Sequence, residues 1–444
     1  MSYSKIDEGS LDTATSALDL FKAPTTKTST LKGRSRQINP IGNVNGSQID
    51  FEFRTSSFDY WDPENTRLLV ELKVEKADGS ALGATSASTV MPVSNLLHAL
   101  FQIVTLSINN NDISYEPNYP HVAYLETLVS RSGGYKKTIG QSSLWIEDYF
   151  GPLDQDDIGT GHADAVRKRR ALISSSKRVE LCDRLHLPMF NQDRYILPNT
   201  TVKLCLTRSS PQFCLIKTDN SDTNDYRITI NKCLLLIHEV SVNPVIINAH
   251  NTLLAAGNKV MYPVNQVETQ MFTISVGKQS ERVPIRINQQ YPKRATFIFI
   301  DHEAKNGDWT KDPFKFKNFD IKRIGLDVDG NAVPSKAIEI NFSENTFAHA
   351  YHNLAVATGK AFGGGGDHGI TMKRFVENST VFMFDLTPDA CEGSGSHLIN
   401  FGSLTLEVTF GTALPATVSV FAYLERDELF KFDNEKTLEK LPRI

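Results

Sequence analysis

Four groupings in this 444-residue chain have residue types suited to chemistry. Gly359-Lys360-Ala361-Phe362-Gly363-Gly364-Gly365-Gly366 has the lysine and glycines of a phosphate-cradling loop. Such a loop follows a strand and ends in Gly-Lys-Ser/Thr. Here the lysine comes first and a helical pattern precedes it, so a surface loop is expected. His349 and His352 lie three apart on one helical turn, with Asp367 and His368 downstream. A metal needs a third firmly held ligand, and the glycine run would hold that pair loosely, so surface or interface histidines are expected. Asp154, Asp156 and Asp157 start like a calcium loop, but no terminal glutamate follows at the required spacing. Arg167-Lys168-Arg169-Arg170 is the strongest charge run. It reads as a nuclear-import signal or phosphate-contact patch, or else as a solvated loop balanced by Asp154, Asp156, Asp157 and Asp164. No Gly-x-Ser-x-Gly elbow and no convincing Cys/His pairing occurs. The expectation is no catalytic residue, no metal ligand, no cofactor and no small-molecule substrate, hence no enzyme.

Composition narrows the class further. The chain is 40% hydrophobic and 22% charged with a formal net charge of −4, ordinary for a globular protein and poorly suited to binding polyanions over its whole surface. Its five cysteines, Cys182, Cys205, Cys214, Cys233 and Cys391, are odd in number and none are in C-x-x-C spacing. Cys205 and Cys233 fall in apolar strand-like runs, and all five are expected as free thiols. The first residues lack the basic start and apolar stretch of a secretory signal, and no segment approaches the ~20 apolar residues of a membrane span. Synthesis in the cytosol is expected.

The elements that must position such groups repeat half a chain apart. Phe101-Gln102-Ile103-Val104-Thr105-Leu106-Ser107-Ile108 alternates into the turn Asn109-Asn110-Asn111. Lys322-Arg323-Ile324-Gly325-Leu326-Asp327-Val328 runs likewise into Asp329-Gly330-Asn331. A helical segment follows each. Val122, Leu125, Leu128 and Val129 share one face of the first; Phe347, Tyr351, Leu354 and Thr358 do so less cleanly in the second. Other runs, such as Val202-Lys203-Leu204-Cys205-Leu206 and Leu404-Thr405-Leu406-Glu407-Val408, alternate as strands. Each half offers around eight strands, with helices only in connections, so an all-β chain of two tandem domains, each a sandwich or a jelly roll, is expected.

The expected boundaries are an N-terminal arm at 1–48, a first roll at 49–243, a helical linker at 244–262, and a second roll with a C-terminal tail at 263–444. The arm is polar and lacks periodicity. Leu18, Leu20 and Phe21 are its apolar cluster, a candidate anchor, and its basic residues run from Lys22 to Arg36. It reads as a disordered tail or as an arm that orders against a partner.

An ordered set of segments then resembles one family. It comprises Leu20-Phe21 before a Thr/Ser-rich arm, Ile49-Asp50-Phe51, Asn95-Leu96-Leu97-His98-Ala99-Leu100-Phe101, and the strand ending at Ile108. The helix from Tyr119 to Arg131, Phe190-Asn191-Gln192-Asp193-Arg194-Tyr195-Ile196-Leu197 and Pro313-Phe314-Lys315-Phe316 complete it. In these the chain resembles the double jelly-roll major capsid proteins of Polinton/Maverick elements, adintoviruses and virophages. The resemblance implies an all-β fold of two tandem eight-stranded jelly rolls and a homotrimeric, pseudo-hexagonal capsomer (a hexon) that tiles an icosahedral shell around double-stranded DNA. Implied partners are neighbouring trimers, vertex and minor capsid proteins, and DNA touched non-specifically by the arm. The implied location is the virion capsid, assembled in host cytosol or nucleus. The competing readings are a tandem β-sandwich that binds carbohydrate and, within the capsid class, a pentameric vertex (penton) protein.

Overall fold

The computed structural model describes residues 4–84, 88–147, 161–219, 221–287, 290–361, 367–389, 395 and 397–441. Asp154, Asp156, Asp157, Cys391 and the glycines at 363–366 fall outside these. The first half forms β1 (Thr30–Ile38), β2 (Gln48–Arg54), β3 (Asp59–Lys76), β4 (Val90–Pro92), β5 (Phe101–Ile108), β6 (Asn111–Glu116), β7 (Val179–Asp183), β8 (Thr201–Arg208), β9 (Leu215–Lys217) and β10 (Tyr226–Val242). The second forms β11 (Val260–Ile274), β12 (Ser280–Ile285), β13 (Arg294–Asp301), β14 (Ile321–Val328), β15 (Asn331–Glu339), β16 (Val381–Asp385), β17 (Leu404–Phe410), β18 (Val418–Phe432) and β19 (Leu438–Leu441). Helices occupy the connections: α1 (Leu96–Ala99), α2 (Tyr119–Ser130), α3 (Gly133–Lys137), α4 (Gly161–Ile173), α5 (Pro211–Cys214), α6 (Pro244–Ala255), α7 (His302–Asn306), α8 (Ala348–Ala357) and α9 (Met372–Glu377).

Each half is one jelly roll. The first pairs β1-β10-β3-β7 in one sheet and β2-β8-β5-β6 in the other; the second pairs β11-β18-β13-β16 and β12-β17-β14-β15, with β19 added to β18. Apart from the small β4-β9 pair and β19, the strand order is the same in both halves. The repeated segments β5 and β14 hold the same place in their sheets. Each has a register shift near its start, between Phe101 and Ile103 and between Ile321 and Arg323. Each ends in a two-residue turn of left-handed backbone, Asn109-Asn110 with φ of 49° and 63°, and Asp329-Gly330 with 51° and 83°. That conformation matches the twist of the flanking strands, and Asn, Asp and Gly adopt it at least cost. Alternation does the rest: Val104, Leu106 and Ile108 are buried in one copy, Ile324 and Leu326 in the other.

The two rolls share a single apolar core, joined at a seam around α2. An amphipathic helix on a surface buries one stripe, but α2 also buries Tyr119, His121 and Tyr124. The Tyr124 ring stacks on Phe314 of the second roll, centroids 4.5 Å apart, and lies edge-on to Phe316. His121 packs against Phe213, Phe314 and Phe421. A seam of this apolar character makes the two rolls move as one body.

Two expectations are corrected. Residues 30–38, placed by the sequence reading within the arm, are the first strand of the first roll and pair along their length with β10. The strand buries little apolar surface, so it has no hydrophobic alternation to read. Arg167-Lys168-Arg169-Arg170, expected in a loop, lies on α4.

Candidate functional site

Surfaces that can join this body to others begin at its N-terminal edge. The chain enters the first roll at Thr30, and β1 is clamped electrostatically. Glu239 of β10 is fully buried, and its carboxylate lies 2.8 Å from Arg34 Nη2 and 3.2 Å from Arg36 Nη2. Arg34 also reaches Asp59 at 3.4 Å. Burial raises the Asp59 carboxyl, but hydrogen bonds from Ser241 and Ser56 and the Arg34 charge leave it lowered overall. The two arginines, alternating on one face of β1, thus fix the strand by a buried charge where apolar packing is lacking.

Beyond β1 the arm carries its apolar cluster in the open. Leu18, Leu20 and Phe21 are 69%, 77% and 102% exposed. Beside the arm's exit, α6 and the start of β11 enclose an apolar groove of about 520 Å³. Asn243 caps α6, its side chain accepting from Val245 N, and Pro244 supplies the fixed φ of a first turn. The groove floor is a separate small core of Tyr60, Leu197, Val242 and Leu254. Tyr60 Oη lies 2.8 Å from His250 Nδ1, which satisfies both groups at the edge of that core.

The seam is also tied by polar groups whose role there the sequence did not mark. Lys136 is buried and donates to the carbonyls of Leu128 (2.6 Å) and His368 (2.5 Å), one in each roll. Burial pulls its ammonium down to about 7. Lys360 donates to Val129 O (3.0 Å) and Ser130 O (2.9 Å), capping the C-terminus of α2 from across the seam. Gly369 has φ of 67°, and a Cβ there would sit 2.9 Å from Gly133 Cα, so the two backbones meet this closely because residue 369 is glycine. Arg374 pairs with Glu147 at 2.8 Å, both largely buried.

Further inside, His98 Nδ1 lies 2.8 Å from Tyr119 Oη, His98 Nε2 lies 3.7 Å from Asp183, and His186 Nδ1 lies 3.0 Å from Glu126. The arrangement has the residue types of a proton relay. His98 and Tyr119 are wholly buried, so it serves to tie α1 and α2 to the end of β7.

The motifs singled out in the sequence separate. Arg169 is fully buried and donates to Pro92 O at 3.1 Å, while Arg170 is half-buried against Thr218. Arg167 and Lys168 face solvent and pair with Asp164 at 2.7 and 2.6 Å. The run is therefore two surface cations and two structural ones, not a four-residue patch. Gly359, with φ of 69°, terminates α8, and the lysine after it is the cap just described. His349 and His352 are exposed on α8, whereas His368 is buried against the Tyr351 ring. Among the described residues no three His, Cys, Asp or Glu side chains are grouped to hold a metal. Cys182, Cys205, Cys214 and Cys233 are free thiols.

No protein-family model matches the chain. It is 22% identical over 393 residues to "Uncharacterized protein F54H12.2" of Caenorhabditis elegans, covering 86% of this chain and 91% of that one. Among solved structures it resembles a chain of the Sputnik virophage (TM-score 0.66, 11% identity, 99% of this chain and 94% of that one). It also resembles the PBCV-1 virus capsid (TM-score 0.59, 12% identity, 96% and 100%). The mavirus major capsid protein is a third (TM-score 0.55, 14% identity, 99% and 96%). The chain has the double jelly-roll fold of these viral capsid proteins.

Proposed function

We propose that this chain is a structural major capsid protein whose trimers form pseudo-hexagonal capsomers tiling an icosahedral shell around double-stranded DNA. The observation that carries the reading is the pair of rolls of one strand order fused through a continuous core. Three copies of such a body present six similar faces, which is what a hexagonal lattice requires of a three-fold particle. Strong closed contacts within the trimer and smaller ones between trimers would let the shell correct errors as it grows. The likeness to virophage chains supports a gene of the Polinton/Maverick, adintovirus or virophage kind. On this reading the chain performs no catalysis. Its partners are itself, vertex and minor capsid proteins, and DNA near the basic end of the arm, and it assembles in the cytosol or nucleus of the host.

Light scattering on the purified chain tests this. Three chain masses support the capsomer. A pentamer would favour a vertex protein and a monomer a tandem binding module, and either would overturn the proposal.

A further inference from the structure

The exposed arm and the groove beside its exit answer one another. The groove is apolar, is floored by Tyr60, Leu197 and Leu254, and has Leu253 and Met261 bare on its walls at 54% and 44% exposure. An open pocket of this volume takes a few apolar side chains. The arm holds such a set in Leu18, Leu20 and Phe21, and among the described residues nothing covers it.

The occupant is fixed by the path of the chain. Ser29 and Thr30 themselves line the groove, so the arm starts at its mouth. Residues 23–28 then run without a turn. Pro24 holds Ala23 extended and the threonines that follow favour extended backbone, so these six residues reach up to roughly 20 Å from the groove's mouth. A return into its own groove would need a reversal in a segment built against one. Each copy therefore has a bare cluster and a bare groove that do not meet within the chain. We infer that the groove between α6 and β11 receives Leu18, Leu20 and Phe21 from the arm of a second copy. Such a contact is head-to-tail, so it closes into rings or propagates through a lattice. The inference rests on the assembling role proposed above and names the surface that role would use.

The test uses the full chain with a photo-crosslinking phenylalanine derivative in place of Phe21, irradiated at a concentration where the protein is oligomeric. The expected product is a two-chain species whose cross-linked peptide maps to residues 244–262. Leu253→Glu, which places a charge in the groove from an exposed position, should lower that yield about tenfold and leave the thermal midpoint unchanged. A cross-link to the same groove within one chain, a map to another surface, or a yield indifferent to Leu253→Glu would overturn the inference. Light scattering on the same sample separates the two readings. Trimers with a cross-link elsewhere would sink the groove and leave the capsid proposal standing. A non-trimeric protein that still cross-links into residues 244–262 of a second copy would do the reverse.

Discussion

His121→Phe should remove a defined part of the chain's acid sensitivity. The imidazole is enclosed by Phe213, Phe314 and Phe421 at the seam, and burial, with the nearby Lys305 charge, pulls it to about 4 from an ordinary 6.5. Between those values the unfolded chain carries a proton on this ring and the folded chain does not. Stability from this group is therefore complete above pH 6.5 and is lost as pH falls toward 4. At about 1.4 kcal/mol per pH unit, the full window is worth about 3 kcal/mol, and about 2–3 kcal/mol is lost by pH 4.5. Phenylalanine fits the aromatic cage and cannot ionise. It also removes Nε2, a buried nitrogen with no hydrogen-bond partner among the described residues. Urea unfolding at pH 7 and 4.5 should thus show the variant losing less stability than wild type between the two pH values. Carboxylates elsewhere titrate in both proteins and cancel in the comparison. If wild type and variant lose stability in parallel, the imidazole is not held neutral by the seam and the argument fails.

Glu239→Ala should free β1 while leaving the second roll intact, seen as faster amide exchange confined to residues 30–38 and their β10 partners. Its cost is about 1–3 kcal/mol, because the stranded arginines keep partial access to water. Arg169→Ala should destabilise by about 2 kcal/mol or more, whereas Arg167→Ala and Lys168→Ala should each change stability by under about 0.5 kcal/mol. Three equal values in thermal melts would mean that the run acts as a single surface patch after all. Deleting residues 1–28, or replacing Leu20 and Phe21 by Ser, should leave a folded trimer that forms no shell by electron microscopy. Normal shells, or loss of the trimer itself, would give the arm a different job.

What the sequence disclosed follows from how each part is stabilised. β5 and β14 were legible because alternating apolar residues and a left-handed Asn or Asp-Gly turn are local, repeated signals. β1 was not, since backbone pairing and a charge from Glu239, two hundred residues away, hold it. The helix α2 was found, but only one face of it was read as buried. Its other faces are covered by Phe314, Phe316 and Phe421, contacts that exist only once the second roll has docked. The same holds for Lys136 and Lys360, whose acceptors are backbone carbonyls that no residue type reveals. Arg169 shows the converse error, a residue read by its type as solvent-facing that the fold turns inward. A spacing rule sees the sequence neighbours of a charge and not its depth.

The central claim is that two rolls of one design act in threes as a six-lobed tile. Electron micrographs of the purified, unassembled particle test it most directly. Averages viewed down the symmetry axis should show a ring of six near-equal lobes with three-fold symmetry and a seam alternating between intrachain and interchain contacts. A five-fold ring, or single two-lobed bodies at concentrations well above those of assembly, would contradict it.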